Sequence, residues 1–234
     1  MLIRWIGHSC FRLTMNDGAT VVTDPFDGSV GYERPRGHVD LVTISHEHFD
    51  HNHIGALEPE TVIRAAGHFP GKVGATGFAS FHDDAHGAKR GPNVMFLIEG
   101  DGARVLHLGD LGHDLSDAQI AAFGRVDALI VPVGGVYTID ARQAAALARR
   151  IGARVTVPMH YKTPRLTFEL GGVEPFLRAA VCAAVFRERG LLDWQETEHT
   201  ITLHLHRGCR VSLEHSPLMA ALAYHDSEKG GGAQ

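Results

Sequence analysis

The chain has 234 residues, 44% hydrophobic and 21% charged, ordinary globular usage that excludes a disordered or fibrous chain. Lys and Arg total 22 against 27 Asp and Glu, and the net charge of −5 argues against a nucleic-acid binder held by a strong basic face. Three cysteines without a C-x-x-C spacing suggest neither a disulfide framework nor a cysteine zinc cluster, whereas the 17 histidines are an unusual supply of the commonest metal ligand.

In chain order, β-rich runs predict strands over Met1–Ile6, Cys10–Met15, Thr20–Thr23, Leu41–Ile44, Val62–Ala65, Val94–Glu99 and Val105–Leu108. Turn chemistry at Asn16-Asp17-Gly18 and Asp101-Gly102 separates several of them. The second half alternates. A strand over Ala128–Val133 precedes a helix over Ala141–Ile151, with Asp140 as N-cap, Gln143 as its capping-box partner and Gly152 as the stop. A strand over Arg154–Val157, a helix over Val173–Arg189 and a strand pair at Thr200–Leu205 and Arg210–Leu213 complete the pattern. The class is a layered α/β domain with mixed sheets over residues 1–216, followed by an extension at 217–234 with a flexible end. Arg4 interrupts any early signal-peptide stretch, and the apolar run Ala179–Phe186 is far short of the roughly 20 residues that span a bilayer, so a cytoplasmic protein without a membrane is expected.

The chemistry concentrates in Thr43-Ile44-Ser45-His46-Glu47-His48-Phe49-Asp50-His51. His46 and His48, two apart where a strand opens into a loop, can point at one metal. Asp50 and His51, at the expected start of a helix, can face a second ion beside it. Such ligands suit Zn²⁺ and also Fe, Mn or Ni.

A His-x-His-x-Asp-His run of this kind resembles the signature of the metallo-β-lactamase-fold hydrolases. More closely, the chain is similar to the small bacterial branch that includes the ascorbate-6-phosphate lactonase-like proteins. Further pieces in matching order are Gly7-His8-Ser9-Cys10-Phe11, Thr23-Asp24-Pro25-Phe26, Phe81-His82-Asp83-Asp84, Arg90-Gly91-Pro92-Asn93, His107-Leu108-Gly109-Asp110, Pro132–Thr138 and Pro158-Met159-His160-Tyr161. The resemblance implies a four-layer αβ/βα sandwich with the site on loops at one edge of two facing sheets. It implies His46, His48 and His82 on one ion, Asp50, His51 and His160 on the other, and Asp110 bridging. His86 and His107 compete with His82 for the third position.

His8 and Asp24 fit hydrogen-bonding partners that orient ligands, or ordinary strand-end residues. Gly134-Gly135 with Thr138 can receive an anion at a helix N-terminus, or form a plain turn. His8 and Thr138 are therefore the candidate substrate-binding residues. His204 and His206 read as structural, and Cys10 as a small core residue.

The function expected is a metal-dependent hydrolase with two divalent ions, zinc before Mn²⁺, Fe²⁺ or Ni²⁺. A hydroxide bridging the ions would cleave an ester-like bond, a phosphodiester or lactone, and Asp50 would both ligate and orient it. The expected partner is a small, anionic substrate rather than nucleic acid, and a homo-oligomer is open. The loops Phe26–Asp40, Phe81–Asn93 and Tyr161–Gly172, with Arg34, Arg36, Lys89, Arg90, Lys162 and Arg165, supply the hint of an anion. The other class that fits is a non-catalytic metal-binding or ligand-sensing domain of the same fold.

Overall fold

A computed structural model describes residues 1–180 in full, with the backbone of Val181, Leu192–Thr197, Thr200–Leu205 and Cys209–Glu214. The first half is built of strands: β1 (Leu2–Gly7), β2 (Cys10–Thr14), β3 (Thr20–Thr23), β4 (Arg36–Thr43), β5 (Ala56–Ile63), β6 (Gly67–Phe69), β7 (Gly74–Phe81), β8 (Pro92–Gly100) and β9 (Ala103–His107). Helices then enter: α1 (Asp117–Phe123), β10 (Ala128–Pro132), α2 (Ala141–Ile151), β11 (Val155–Met159) and α3 (Glu174–Val181). Strands β12 (Leu192–Thr197), β13 (Thr200–Leu205) and β14 (Cys209–Glu214) follow.

Two mixed sheets result, one of eight strands in the order β12-β13-β14-β1-β2-β3-β4-β5 and one of six in the order β11-β10-β9-β8-β7-β6. They form the α/β sandwich that the resemblance implies. Residues alternate between faces along a strand, and the larger sheet shows it: Leu13, Val21 and Leu41 share one buried cluster with Met95, Leu97 and Val105 of the smaller sheet. Their neighbours Cys10, Val22 and Val42 face the other way, under Phe26, Val30, Leu166 and Leu170. Strand β10 is buried at all five positions, with α2 against it and α3 against α2, which explains its unbroken apolar run.

Helix α2 matches the sequence reading residue for residue. The Asp140 carboxylate accepts from the N–H groups of Arg142 (2.8 Å) and Gln143 (2.9 Å), the Gln143 side chain accepts from Asp140 N–H (2.9 Å), and Gly152 closes the helix at φ +68°. Elsewhere the structure corrects the reading. No helix starts at Asp50: one turn, His51 N–H and Asn52 N–H to His48 O, leads through Gly55 (φ +51°) into β5, which begins at Ala56, well before the run at Val62. β5 is an edge strand, so Pro59 is tolerated within it. β7, Gly-Ala-Thr-Gly-Phe-Ala-Ser-Phe, carries little β propensity, and α1 is short. The expected helix through Arg189 is α3 as far as Val181, and its remainder lies outside the described residues, as do His206, the side chain of His204 and residues 217–234. Among the described residues no helix is long and apolar enough to cross a membrane.

Gly112 positions the loop that carries His82. Its N–H donates to Phe81 O (3.0 Å), and a Cβ there would lie 2.3 Å from His82 C and 2.4 Å from Asp83 N. Gly112→Ala must therefore displace that backbone and is expected to lower stability by about 1–3 kcal/mol, as overpacking does. Gly28→Ala, where a Cβ meets nothing within 4 Å, is the control and should stay within about 0.5 kcal/mol of the parent in denaturant melts. Asp140→Ala should cost about 1 kcal/mol through the lost cap, read as a Tm drop of roughly 2–4 °C.

Candidate metal centre

The polar residues of the site each follow the C-terminal end of a strand. His8 follows β1, Asp24 follows β3, Ser45 to His51 follow β4, His82 follows β7, Asp110 follows β9 and His160 follows β11. Strands β1, β3 and β4 run the same way, since β1 and β3 are both antiparallel to β2 and β3 is parallel to β4. Strands β7, β9, β10 and β11 likewise share a direction, with β8 reversed between β7 and β9. Bonds across the sandwich hold these ends together: Val94 N–H to Ser45 O (2.8 Å), His107 Nε2–H to Ser9 O (2.9 Å) and His160 N–H to His8 O (3.4 Å). His8, Asp24 and His160 turn out of their strands at φ +53°, +41° and +52°. Such non-glycine conformations cost on the order of 1–3 kcal/mol each and persist only where the surroundings impose them.

Two groups of donors adjoin. His46, His48 and His82 offer atoms within 4.8 Å of one another, as do His8, Asp50, His51 and His160, and a third set, His46, His51 and Asp110, links them. Asp110 Oδ2 lies 3.0 Å from His160 Nε2, 3.3 Å from His51 Nε2 and His82 Nε2, and 3.9 Å from His46 Nε2. His8 Nε2 lies 3.0 Å from Asp50 Oδ2, which is 3.5 Å from His51 Nε2.

Asp24 sets the ring orientation on both sides. It accepts from Ser45 N–H (2.8 Å), Ser45 Oγ–H (2.6 Å) and His51 Nδ1–H (2.9 Å). Since Ser45 gives its proton to Asp24, its oxygen accepts from His46 Nδ1–H (2.9 Å). Both imidazoles thus carry a proton on Nδ1, the arrangement by which a hydrogen bond behind a ligand aims its other nitrogen.

The charges are strongly perturbed. Burial, with His51 beside it, pushes His46 down to about 3, and burial and His160 push His8 down to about 4, so both rings are neutral. Burial would lower His51 too, but the Asp110, Asp50 and Asp24 carboxylates outweigh it and raise it well above the ordinary value. Burial would raise Asp110, Asp50 and Asp24, yet the surrounding imidazoles hold all three below the usual carboxylate range. His46 Nε2, His51 Nε2 and Asp110 Oδ1 are buried without a hydrogen-bond partner. Buried polar atoms are nearly always paired. These three belong to one donor group, His46, His51 and Asp110, and fit a divalent cation of the kind that takes nitrogen and oxygen donors.

The structure brings His82, not His86, to His46 and His48; His86 is exposed against Phe81. His107 has both ring nitrogens engaged, Nε2 with Ser9 O and Nδ1 with Gly109 N–H (3.1 Å), and serves packing. Cys10 is a buried free thiol. Thr138 donates to Ile139 O (3.2 Å), and the first N–H groups of α2 go to Asp140, so that helix end offers its donors to its own cap rather than to an anion. Three of the six loop cations have carboxylate partners: Lys89 with Asp84 (2.6 Å), Arg36 with Glu33 (3.2 Å) and Lys162 with Glu169 (2.9 Å).

Sequence reasoning missed three positioning residues. Ser45 stands inside the ligand run and is not itself a ligand type. Asn93 receives Asp110 N–H on Oδ1 (3.0 Å) and donates to Ser80 Oγ (2.7 Å) and Leu108 O (2.9 Å). Asp83 accepts from the N–H groups of Ala85 (2.8 Å), Gly87 (3.0 Å), Lys89 (3.0 Å) and Arg90 (2.7 Å), folding the loop after His82 around one carboxylate. An aspartate followed by a glycine-containing polar loop was the readable signal for that turn.

Known proteins share this arrangement of sheets and sequence. A model described as the beta-lactamase superfamily domain matches residues 2–160. A UPF0173 metal-dependent hydrolase of Methanoculleus marisnigri is 32% identical over 191 residues, 70% of this chain and 82% of its own, and one of Hyperthermus butylicus is 29% identical over 192 residues, 69% and 83%. The crystal structure of a metallo-β-lactamase superfamily protein from Thermotoga maritima, described as a candidate zinc-dependent hydrolase, is 42% identical with a TM-score of 0.63, covering 75% of this chain and 84% of that one. With one domain model matched across most of its length and relatives of nearly its own extent, the chain belongs to the β-lactamase superfamily, among the UPF0173 metal-dependent hydrolases.

Proposed function

We propose that this metal-dependent hydrolase cleaves an ester-like bond, a phosphodiester or lactone, of a small anionic molecule with two divalent ions, zinc before Mn²⁺, Fe²⁺ or Ni²⁺. The observation that carries the reading is Asp110, whose Oδ2 reaches imidazoles of both donor groups while Oδ1 is buried and unpaired. His46, His48 and His82 would hold one ion, Asp50, His51 and His160 the other, and Asp110 both. Ions bound there supply Lewis acidity and a nucleophile at neutral pH. The nitrogen-rich donor set supports zinc, as does the description of the Thermotoga maritima relative.

The chain's own residues do the rest. Asp24 and Ser45 keep the Nε2 lone pairs of His51 and His46 turned inward. Asp50, held by His8 (3.0 Å), is an acceptor that can orient a proton-bearing reactant. His51, Asp110 and His160 are buried, so charge developing beside them is weakly screened. His48 is exposed and marks the side from which substrate arrives.

Plasma mass spectrometry should find about two divalent ions per chain, the stoichiometry of a shared-carboxylate pair, and none in the His46→Ala, Asp110→Ala double variant. Asp110→Ala alone, folded by circular dichroism, should lose turnover on every phosphodiester or lactone that the parent cleaves; retained turnover would remove Asp110 from the mechanism. Ser45→Ala frees the His46 ring and should weaken metal binding by roughly 10–100-fold in chelator competition, without unfolding the chain.

A further inference from the structure

Among the described residues the exposed large hydrophobics are Phe49 (55% exposed), Val136 (52%) and Tyr137 (42%). Single exposed hydrophobics are ordinary, but all three stand on segments that frame the metal centre. Phe49 sits between His48 and Asp50. Val136 and Tyr137 follow β10, whose neighbours β9 and β11 lead into Asp110 and His160, and a Cβ on Gly134 would lie 2.2 Å from His160 O. Phe49 meets Phe168 edge to face (6.1 Å between centroids), and Phe168 meets His8 in the same way (5.3 Å), so one aromatic wall runs from solvent to the buried donors.

Arg90 comes from the loop that carries His82, and its Cζ stands 4.8 Å from the centre of the Tyr137 ring. A guanidinium over an aromatic face is attracted by the negative face of the ring. Unlike Lys89, Arg36 and Lys162, Arg90 has no carboxylate partner among the described residues. A guanidinium without a carboxylate partner can pair with a planar or tetrahedral oxyanion.

We infer that Arg90 on Tyr137 reads an oxyanion and that Phe49 with Phe168 receives an apolar group, so that the site selects amphipathic organic anions, an aryl or acyl body bearing a carboxylate or phosphate. The inference rests on the proposed hydrolase reading and names its substrate class.

Binding to the metal-loaded protein tests it without turnover. The ligands are phenyl phosphate, phenylacetate, the neutral 2-phenylethanol and inorganic phosphate, titrated by calorimetry into the parent, Arg90→Gln and Phe49→Ala. Both substituted side chains are at the surface or half exposed, and thermal melts check that the variants fold. Arg90→Gln should weaken the aryl anions about tenfold, in line with loss of a charged hydrogen bond, and leave 2-phenylethanol unchanged. Phe49→Ala should weaken all three phenyl ligands about fivefold and leave inorganic phosphate unchanged. The ratio of phenyl phosphate to phenylacetate tells which oxyanion is preferred. Equal affinities for inorganic phosphate and phenyl phosphate in the parent, or variants that bind like it, would overturn the inference. So would parent self-association abolished by Phe49→Ala, which would make that ring an interface residue. Selective binding without hydrolysis of any phenyl ester, lactone or phosphodiester would keep the inference and sink the hydrolase reading.

Discussion

Two sheets that pack through apolar faces are free to slide unless something pins them, and a metal centre divided between them tolerates little sliding. The pins lie at the strand ends. Val94 N–H reaches across to Ser45 O, the buried His107 imidazole reaches Ser9 O, and His160 N–H reaches His8 O. Each of these joins a residue of the smaller sheet to a turn leaving the larger one. They sit beside the residues they position, in a setting where a lost hydrogen bond leaves a buried polar group without water. The inter-sheet core supplies the stability, and these few polar bonds supply the register.

Given that register, the site is a problem in electrostatics. Several imidazoles and three carboxylates are packed out of water, a combination that burial alone would neutralise. Their mutual proximity keeps the acids ionised and draws a proton to His51. A divalent cation would resolve the same imbalance without protons and could take up His46 Nε2 and His51 Nε2, which lack partners. Asp24 matters because one buried carboxylate, through Ser45 on one side and directly on the other, fixes the orientation of rings belonging to both donor groups.

Much of this was legible in the sequence, and unevenly. The run from His46 to His51 announces itself because ligand chemistry needs particular residue types close together. Helix α2 is readable because Asp140, Gln143 and Gly152 form a self-contained local code. Strand β7 was not, because its glycines and alanines serve close backbone approach: a Cβ on Gly77 would lie 2.5 Å from Ala65 O. The helix expected at Asp50 failed for a related reason, since the residues between His51 and β5 are too few for one. The bends at His8 and His160 are invisible in the letters, because tertiary packing imposes them against local preference. Ser45 and Asn93 act through hydrogen bonds to Asp24 and Asp110, distant in the chain, and no local pattern encodes those partners.

The placement of β14 bears on how the chain is made. It pairs in parallel with β1, Leu2 opposite Arg210 and Ile3 opposite Val211, so two strands far apart in the sequence border each other. During synthesis β1 can pair with β2 as soon as both have emerged, while its other flank keeps unpaired N–H and C=O groups until about two hundred more residues have followed. Contacts of such sequence separation form slowly, and an unpaired strand flank is a template for pairing with another chain. The nascent chain therefore carries a sticky border beside the turn that bears His8, and that border closes only when β14 arrives.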